Sequence, residues 1–439
     1  MILPPILAAS LPPPPGPHAV GYTFLTHPPL SPFSHSFPTL KSTGKPAFRI
    51  EEIGYCLFYP SLPEDKKGKE WVSWVPEPFW GVIRGYERFL GGKGGISWLV
   101  KPVGYIAGRL QMPLHLQAPL KPTDKPYPLL IFSHGLAGTR HTYSQFCAAL
   151  ASEGYVVLVV EHRDGSGPAV VLPPEGEGKE SRVLYYTGVD DISWAEGEEH
   201  PVTHARTLQL DIRTREVYEA YHSFKRLLSH VGDLSIKIEG LEGDGRQSWI
   251  DSLKGKVDVD DLRLTGHSFG GGTILHLLQT PPPSTLLPSL PAKQAISLDP
   301  WLEPLPAPSD ILQTPFSSSM PPTLVINSAG FTEWPEHWEK LVEIMKGKGI
   351  LITMIGIGHQ SFSDFPLLNP RGYSHAHSMI VKVHELSTAF LNKKLLSGAA
   401  LAGKTPDKGD YEKDEDGVKI KGKAAMKDGD VLLHFADRE

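Results

Sequence analysis

The amino-acid sequence predicts an α/β fold, in which a mostly parallel β-sheet carries helices on both faces. Short apolar runs of strand length alternate with helical patterns through the middle of the chain, as in parallel-sheet proteins. The apolar runs lack polar alternation, which is typical of strands buried on both faces. With 439 residues, the chain is also long enough to bury a large core.

The two ends of the chain differ in composition from its middle. Residues 1–45 are rich in proline and predict a mostly irregular arm. A catalytic domain is expected over 46–399, beginning with the strand-like FRIEEIGYCLFYP. The last segment, 400–439, has mixed charge and few aromatic residues, which predicts a solvated tail. Residues 71–116 place aromatic side chains among glycines and prolines, so they either cover the core or form an apolar lid.

The first strand–helix–strand unit follows this aromatic segment. YPLLIFSHG (127–135) predicts a buried strand, SQFCAALASEG (144–154) a helix that ends at Gly154, and YVVLVVEHRDGSG (155–167) a second strand that enters a polar loop. An insertion rich in glycine, glutamate and proline is expected at about 168–200. Apolar residues at helical spacing then predict a long helix near 203–230.

The α/β alternation continues to the end of the predicted domain. DLRLTG (261–266) predicts a strand, and a helix should begin at Gly270. The remaining elements are the strands QAISLD (294–299), TLVINS (323–328) and ILITMIG (350–356), with a helix near 334–348 between the last two.

Charge and composition exclude several classes of protein. A net charge of −6 without a basic stripe argues against nucleic acid as a partner. The cysteines, Cys56 and Cys147, are too few for a disulfide framework. No apolar run has the length of a membrane span, and the N-terminus lacks the basic start of a signal peptide. These features predict a cytoplasmic protein.

Gly266-x-Ser268-x-Gly270 matches the pattern of a nucleophile elbow. In such a turn the serine follows a strand and precedes a helix, and small neighbours let the two elements approach. DLRLT before the motif and GGTILHLL after it provide that context. Ser268 is therefore the predicted nucleophile.

A serine nucleophile needs a histidine base and a carboxylate that orients the histidine, in the chain order Ser, acid, His. Asp299 ends the strand after Ser268, and His359 follows the last predicted strand. The rival acids are Glu303 and Asp310 in a proline-rich loop, and Asp364 after the histidine. Three further histidines are less suited: His375 and His377 are expected on a helix, and His267 should pack within the elbow.

Two backbone N–H groups should stabilise the tetrahedral oxyanion. Phe269, directly after the nucleophile, supplies one. The loop FSHGLAG (132–138) supplies the other through Leu136, with Gly135 allowing the tight turn. No HExxH motif, zinc-like Cys/His spacing or phosphate-binding glycine loop is present in the sequence, so we expect neither a metal nor a cofactor.

Together with their flanking residues, these positions resemble those of a known family. The chain resembles the platelet-activating factor acetylhydrolases of the plasma and type II intracellular kind, which are α/β-hydrolases. The resemblance rests on blocks in the same order across nearly all of 20–395, namely VGYT (20–23), FSHGLAGTR (132–140), VVEHRDGSG (159–167), TGHSFGGGT (265–273), SLDPWLEPL (297–305), INSAGF (326–331) and GHQSFSDF (358–365).

The resemblance implies calcium-independent hydrolysis of short or oxidised acyl groups at the sn-2 position of glycerophospholipids. Ser268, Asp299 and His359 would form the triad, with Leu136 and Phe269 as the oxyanion hole. Trp301 would line the acyl pocket, and Gln360 is expected to line it as well. The substrate class also makes 71–110 the segment expected to contact a lipid surface, with ISWLVKPVGYIAGRL (96–110) as its most apolar part.

The sequence is also compatible with two other functions. The same triad would serve a general carboxylesterase or a polyester-type hydrolase acting on another ester. Alternatively, the chain would be a non-catalytic, hydrolase-like binding protein whose arm and tail are partner sites. Proteins of the latter kind commonly lose a catalytic residue, whereas all three predicted residues are present here.

Overall fold

A central β-sheet runs through the protein. The computed structural model describes residues 4–62, 71–91, 104–176, 178–195, 202–229, 234–311, 319–398, 401, 411–414, 417–420 and 423–437. The sheet's longer strands are β1 (Ala19–His27), β2 (Ile53–Ser61), β3 (Tyr127–Ser133), β4 (Val156–Glu161), β5 (Val257–His267), β6 (Ala292–Leu298), β7 (Thr323–Ser328), β8 (Gly349–Met354) and β9 (Val431–Ala436).

The strands lie in the order β1-β2-β4-β3-β5-β6-β7-β8-β9. The six from β4 to β8 are parallel to their neighbours, whereas β1, β2 and β9 pair antiparallel. Lys237–Ile238 extends the sheet beyond β1, and His115–Leu116 also pairs with β1. The predicted, mostly parallel α/β sheet is thus confirmed.

Helices cover both faces of this sheet. They are α1 (Phe79–Phe89), α2 (Ser144–Ser152), α3 (Val202–Ser229), α4 (Gly243–Leu253), α5 (Phe269–Gln279), α6 (Pro335–Met345) and α7 (Tyr373–Leu391). Shorter turns of helix occur at Pro5–Ala8, Val189–Asp191, Pro308–Ile311, Ala329–Thr332, His359–Phe362, Phe365–Leu368 and Lys423–Ala425. Among the helices that the structure describes, none is both long and apolar enough to cross a membrane.

Strand β3 shows why the apolar runs lack polar alternation. Leu130 and Phe132 pack into one core with α2 and α7, while Leu129 and Ile131 pack into the core on the other face with α3 and α4. Successive side chains of a strand point to opposite faces, so a sheet covered on both faces requires apolar residues at every position. Burial of each such side chain stabilises the fold by about 1.5–3 kcal/mol.

Two boundaries predicted from composition are wrong. The segment 1–45 contains β1, which pairs with β2 over its whole length from Ala19 to His27. The segment 400–439 contains β9, which pairs antiparallel with β8 at the edge of the sheet. The proline-rich and charged surroundings of these strands dominated the local composition and concealed two short β-forming runs. Within the described residues, both segments therefore contribute to the same sheet as 46–399.

The insertion at 168–200 is folded where the structure describes it. Ala169–Leu172 and Arg182–Tyr185 form an antiparallel hairpin, and Ile192–Ser193 pairs with Thr39–Leu40. In the aromatic segment, Val72–Ser73 pairs with Gln111–Met112, and α1 lies between them. Most of the apolar stretch 96–110, from 96 to 103, falls outside the described residues. Tyr411–Asp414 also pairs antiparallel with Gly417–Ile420.

Candidate active site

Ser268 occupies the sharp turn between β5 and α5. Its backbone has φ 56° and ψ −120°, a left-handed conformation that is strained for a residue with a Cβ atom. The flanking glycines make the turn sterically feasible. A Cβ atom on Gly270 would lie 1.9 Å from the Ser133 carbonyl oxygen, and one on Gly266 would lie 2.5 Å from the backbone of Gly270. The strand, turn and helix predicted around the motif are all present.

Ser268, His359 and Asp299 form one chain of hydrogen bonds. The Ser268 hydroxyl donates to His359 Nε2 at 2.8 Å, and His359 Nδ1 donates to Asp299 Oδ2 at 3.0 Å. Ser328 also donates to the Asp299 carboxylate, from its backbone N–H at 2.6 Å and its hydroxyl at 2.7 Å. A carboxylate at Nδ1 selects the tautomer whose Nε2 is free to accept a proton. The geometry is that of a nucleophile, a base and an orienting acid.

The rival acids lie elsewhere. Glu303 accepts a hydrogen bond from the Trp301 indole at 2.8 Å, and Asp310 is in the short exposed turn Pro308–Ile311. Asp364 is fully buried and accepts from the first backbone amides of α2, those of Ser144 and Gln145, and from the Trp74 indole. Burial raises the pKa of the Asp364 carboxyl to about 7. Its contacts tie the loop that carries His359 to α2.

Two aromatic rings contact the His359 ring. Phe331 stacks on it with a centroid distance of 4.5 Å and an interplanar angle of 3°, and the ring of His267 lies 4.6 Å away. His267 is buried, which lowers its pKa well below the usual value, and its Nδ1 accepts a hydrogen bond from the Tyr143 hydroxyl. It therefore stays neutral beside the catalytic-type histidine, and it packs within the elbow as predicted.

The two amides predicted for the oxyanion hole belong to rigidly held peptides. The Gly135 carbonyl oxygen accepts hydrogen bonds from the Gly138 N–H and His134 Nδ1, and the Ser268 carbonyl oxygen accepts from the Gly272 and Trp301 N–H groups. A trans peptide directs its N–H opposite to its C=O. The N–H groups of Leu136 and Phe269 therefore point away from these contacts, and neither donates a hydrogen bond to another described residue.

The site opens into a cavity of about 470 Å³. Trp301 and Gln360 both line it, as do Ser268, His359 and Leu136. Its other lining residues are Tyr86, Phe89, Leu90, Ala137, Gly138, Thr142, Tyr143, His267, Phe331, Trp334 and Phe365. None of these described lining residues is an Asp, Glu, Lys or Arg. The cavity is therefore suited to an uncharged, largely apolar group.

Sequence reasoning missed two aromatic residues of this site. Phe331 lies directly after β7 in the block INSAGF, which marked the family resemblance but had no assigned role. Tyr143 precedes α2, and its hydroxyl accepts from the Gly135 N–H while donating to His267. Neither position carries a motif of its own, so only the approach of distant segments identifies it.

Across the described residues, no cluster of His, Cys, Asp and Glu is arranged to hold a metal ion.

The chain is similar in sequence to known proteins that share one name. The family model described as platelet-activating factor acetylhydrolase, isoform II, matches residues 9–413. The protein named platelet-activating factor acetylhydrolase from Gallus gallus is 29% identical over 401 residues, which are 87% of this chain and 82% of the relative. Its namesake from Canis lupus familiaris is 28% identical over 356 residues, covering 77% of this chain and 71% of the relative.

More distant similarities agree with the fold. A protein of Schizosaccharomyces pombe named putative phospholipase A2 is 25% identical over 358 residues, which are 74% of this chain and 72% of that protein. The solved structure of a ferulic acid esterase from Streptomyces cinnamoneus matches with a TM-score of 0.52 and 18% identity, covering 94% of this chain and 99% of that one. The protein is therefore a hydrolase of the α/β-hydrolase fold, and the chain belongs to the platelet-activating factor acetylhydrolase, isoform II, family.

Proposed function

We propose that the protein is a calcium-independent serine esterase that removes short or oxidised acyl groups from the sn-2 position of glycerophospholipids. The observation that carries this proposal is the Ser268–His359–Asp299 hydrogen-bond chain at the base of an uncharged, aromatic-lined cavity. The names of the relatives supply the substrate class, with 1-alkyl-2-acetylglycerophosphocholine as its simplest member.

The proposed reaction acylates Ser268 and then hydrolyses the acyl-enzyme, with His359 as the base and acid of both stages. His359 takes the Ser268 proton while Oγ forms a bond to the ester carbonyl carbon, and the resulting oxyanion accepts hydrogen bonds from the Leu136 and Phe269 amides. Collapse of this intermediate breaks the ester C–O bond, and His359 protonates the departing lyso-lipid oxygen. Water, deprotonated by His359, then hydrolyses the acyl-enzyme to release acetate and return the proton to Ser268.

The cavity is suited to an apolar acyl group. A volume of about 470 Å³ is within the range of small-molecule sites, and the lining is dominated by ring and aliphatic carbon. We expect a preference for an acetyl or short oxidised chain over a long saturated one, which the relatives' name of acetylhydrolase supports. Calcium prefers several carboxylate oxygens, which the described lining does not offer, and this supports calcium-independence.

The test is a rate comparison among three esters. The purified protein should hydrolyse 1-alkyl-2-acetylglycerophosphocholine at least about tenfold faster, in kcat/KM, than its analogue with a long sn-2 chain, since one poorly accommodated chain readily costs that factor. Addition of EDTA should leave the rate unchanged. A neutral short-chain ester that is strongly preferred, with the lipid ignored, would replace this proposal by a general carboxylesterase. Failure to hydrolyse any of the three would favour the non-catalytic binding protein.

We also propose that α1 and its neighbours contact a lipid surface. Trp80 is 55% exposed, Leu90 51% and Tyr105 61%, and Phe89 is exposed as well. Phe89 and Leu90 also line the cavity, so the exposed apolar surface continues into its mouth. Such a surface is suited to take a lipid directly from an aggregate.

Partition onto phosphatidylcholine vesicles tests this surface. Trp80→Ser should weaken vesicle binding on the order of tenfold, because it removes the exposed indole of α1 from the interface. Leu286→Ser is the matched control, since Leu286 is 64% exposed in the loop after α5. Equal binding of wild type and Trp80→Ser would eliminate α1 as the docking surface.

A further inference from the structure

Arg213, on α3, does not reach the cavity, yet it connects both parts of the oxyanion hole. We propose that Arg213 is a positioning residue that holds the Leu136 and Phe269 amides at their working separation. The inference rests on the proposed function in one respect, namely that Ser268 attacks a centre on which an oxyanion develops. The Arg213 side chain is fully buried, and its guanidinium contacts three segments of the chain that are far apart in sequence.

The first contact is with the loop that carries Leu136. Arg213 Nη2 donates to the His134 carbonyl oxygen. The N–H of the same peptide, from Gly135, donates to the Tyr143 hydroxyl at 3.2 Å. The His134–Gly135 peptide is thus held at both ends, directly before the peptide whose N–H is Leu136. Without the guanidinium, the carbonyl would lose the partner that sets the plane of this peptide.

The second contact is with the polar loop after β4. Arg213 Nη1 donates to the Ser166 hydroxyl at 2.6 Å, and the Ser166 carbonyl oxygen accepts from the Ala137 N–H at 2.8 Å. Ala137 has a left-handed backbone with φ 57°, which is costly for alanine unless its surroundings hold it. Arg213 therefore supports the Leu136 loop from both sides, through His134 before it and through Ser166 after it.

The third contact is with the start of α5. Arg213 Nε donates to the Thr273 hydroxyl at 3.3 Å, and its guanidinium carbon lies 4.5 Å from the centroid of the Phe269 ring. Phe269 supplies the second oxyanion amide from its own backbone. A planar guanidinium with several fixed donors can hold these segments in one geometry, which a lysine ammonium cannot reproduce.

The Arg213 guanidinium is surrounded by ionisable groups that carry no second positive charge, namely Asp164, Glu216 and His134. Asp164 Oδ2 lies 3.9 Å from Arg213 Nη1, whereas burial raises the pKa of Glu216 well above its usual value. Burial and, to a smaller extent, the Arg213 charge lower the pKa of His134 to about 3. His134 is thus neutral.

The test compares Arg213→Met and Arg213→Lys with Arg215→Met. Arg215 is on the same helix, and its guanidinium carbon lies 3.6 Å from the centroid of the Phe33 ring, away from the oxyanion loop. Arg215→Met is therefore the control for the loss of an arginine from α3 that does not contact this loop. Two readouts are taken: kcat and KM on a short-chain p-nitrophenyl ester, and the rate at which diethyl p-nitrophenyl phosphate modifies Ser268. The second readout needs the triad and the oxyanion hole, with His359 taking the Ser268 proton as p-nitrophenolate leaves, but it does not need turnover of any lipid.

We expect Arg213→Met to lower kcat and the phosphorylation rate by about 100-fold each, as loss of an oxyanion donor does, with KM changed less than about threefold. Arg213→Lys should lose about tenfold, because it retains the charge but not the planar set of donors. The pH midpoint of kcat/KM should stay that of the wild type in both variants, since the triad is untouched. Arg215→Met should retain wild-type values in both readouts.

Several results would overturn the proposal. One is a folded Arg213→Met, by thermal melting and near-ultraviolet circular dichroism, that reacts with the phosphate ester at the wild-type rate. Another is a loss expressed in KM alone. If Arg213→Met does not fold, Arg213→Lys decides the question by the same criteria. Absence of ester turnover in the wild type would contradict the proposed function, while the phosphorylation rates would still decide the role of Arg213.

Discussion

Ser268→Ala is expected to lower kcat on a short sn-2 lipid by about 10⁵- to 10⁶-fold, as removal of the nucleophile does in other serine hydrolases. The reason is that no other described hydroxyl is hydrogen-bonded to His359. The fold should be unaffected, because alanine keeps the Cβ atom that the strained turn already accommodates. Steady-state kinetics measures the loss, and a thermal melt checks the fold.

The matched control for this variant is Ser378→Ala. The Ser378 hydroxyl is exposed on α7 and donates only to the His375 carbonyl oxygen, so its removal should leave kcat within about twofold of wild type. Retention of more than about one per cent of wild-type activity by Ser268→Ala would be incompatible with a covalent mechanism through Ser268.

Asp299→Asn should lower kcat by about 10⁴-fold, although the side chain keeps its size. An asparagine amide presents the wrong donor to His359 Nδ1, so the ring adopts the tautomer that cannot accept the Ser268 proton. The Ser328 contacts hold the carboxylate in place, and Asn would also disturb these. Stopped-flow kinetics at neutral pH measures the loss.

The rival acids provide the comparison for Asp299. Glu303→Gln and Asp310→Asn should keep kcat within about threefold of wild type, because neither carboxylate contacts His359. If Glu303→Gln lost as much activity as Asp299→Asn, the assignment of the orienting acid would have to be revised.

The fold was predictable where burial alone determines the sequence pattern. The six strands from β4 to β8 are covered on both faces, so β3, β4, β7 and β8 read as nearly continuous apolar runs with helices between them. Strands β5 and β6 carry polar or charged residues in their first halves and are apolar mainly toward their carboxyl ends. Strands β1 and β9 lie toward the edges and pair antiparallel beside proline-rich or charged residues. Their pairing is decided by partners distant in the chain, which local composition does not reveal.

The same distinction applies to the site. Ser268, Asp299 and His359 each follow a strand of the parallel sheet, so topology alone predicted that they meet at one edge. Phe331, Asp364 and Arg213 act through contacts between segments far apart in sequence. Asp364, for example, accepts a hydrogen bond from the backbone amide of Ser144, which lies 220 positions away. No spacing rule covers such contacts. They emerge only when the packed structure is known.

Competition at Ser268 tests the central claim most directly. The protein is treated with diethyl p-nitrophenyl phosphate in the presence of increasing concentrations of the sn-2 amide analogue of 1-alkyl-2-acetylglycerophosphocholine, and the modified peptide is identified by mass spectrometry. We expect modification at Ser268 alone, slowed by the lipid analogue with the same half-saturation as its inhibition of lipid hydrolysis. Modification at another residue, or at Ser268 with no protection by the lipid, would contradict a phospholipid sn-2 esterase that uses this serine.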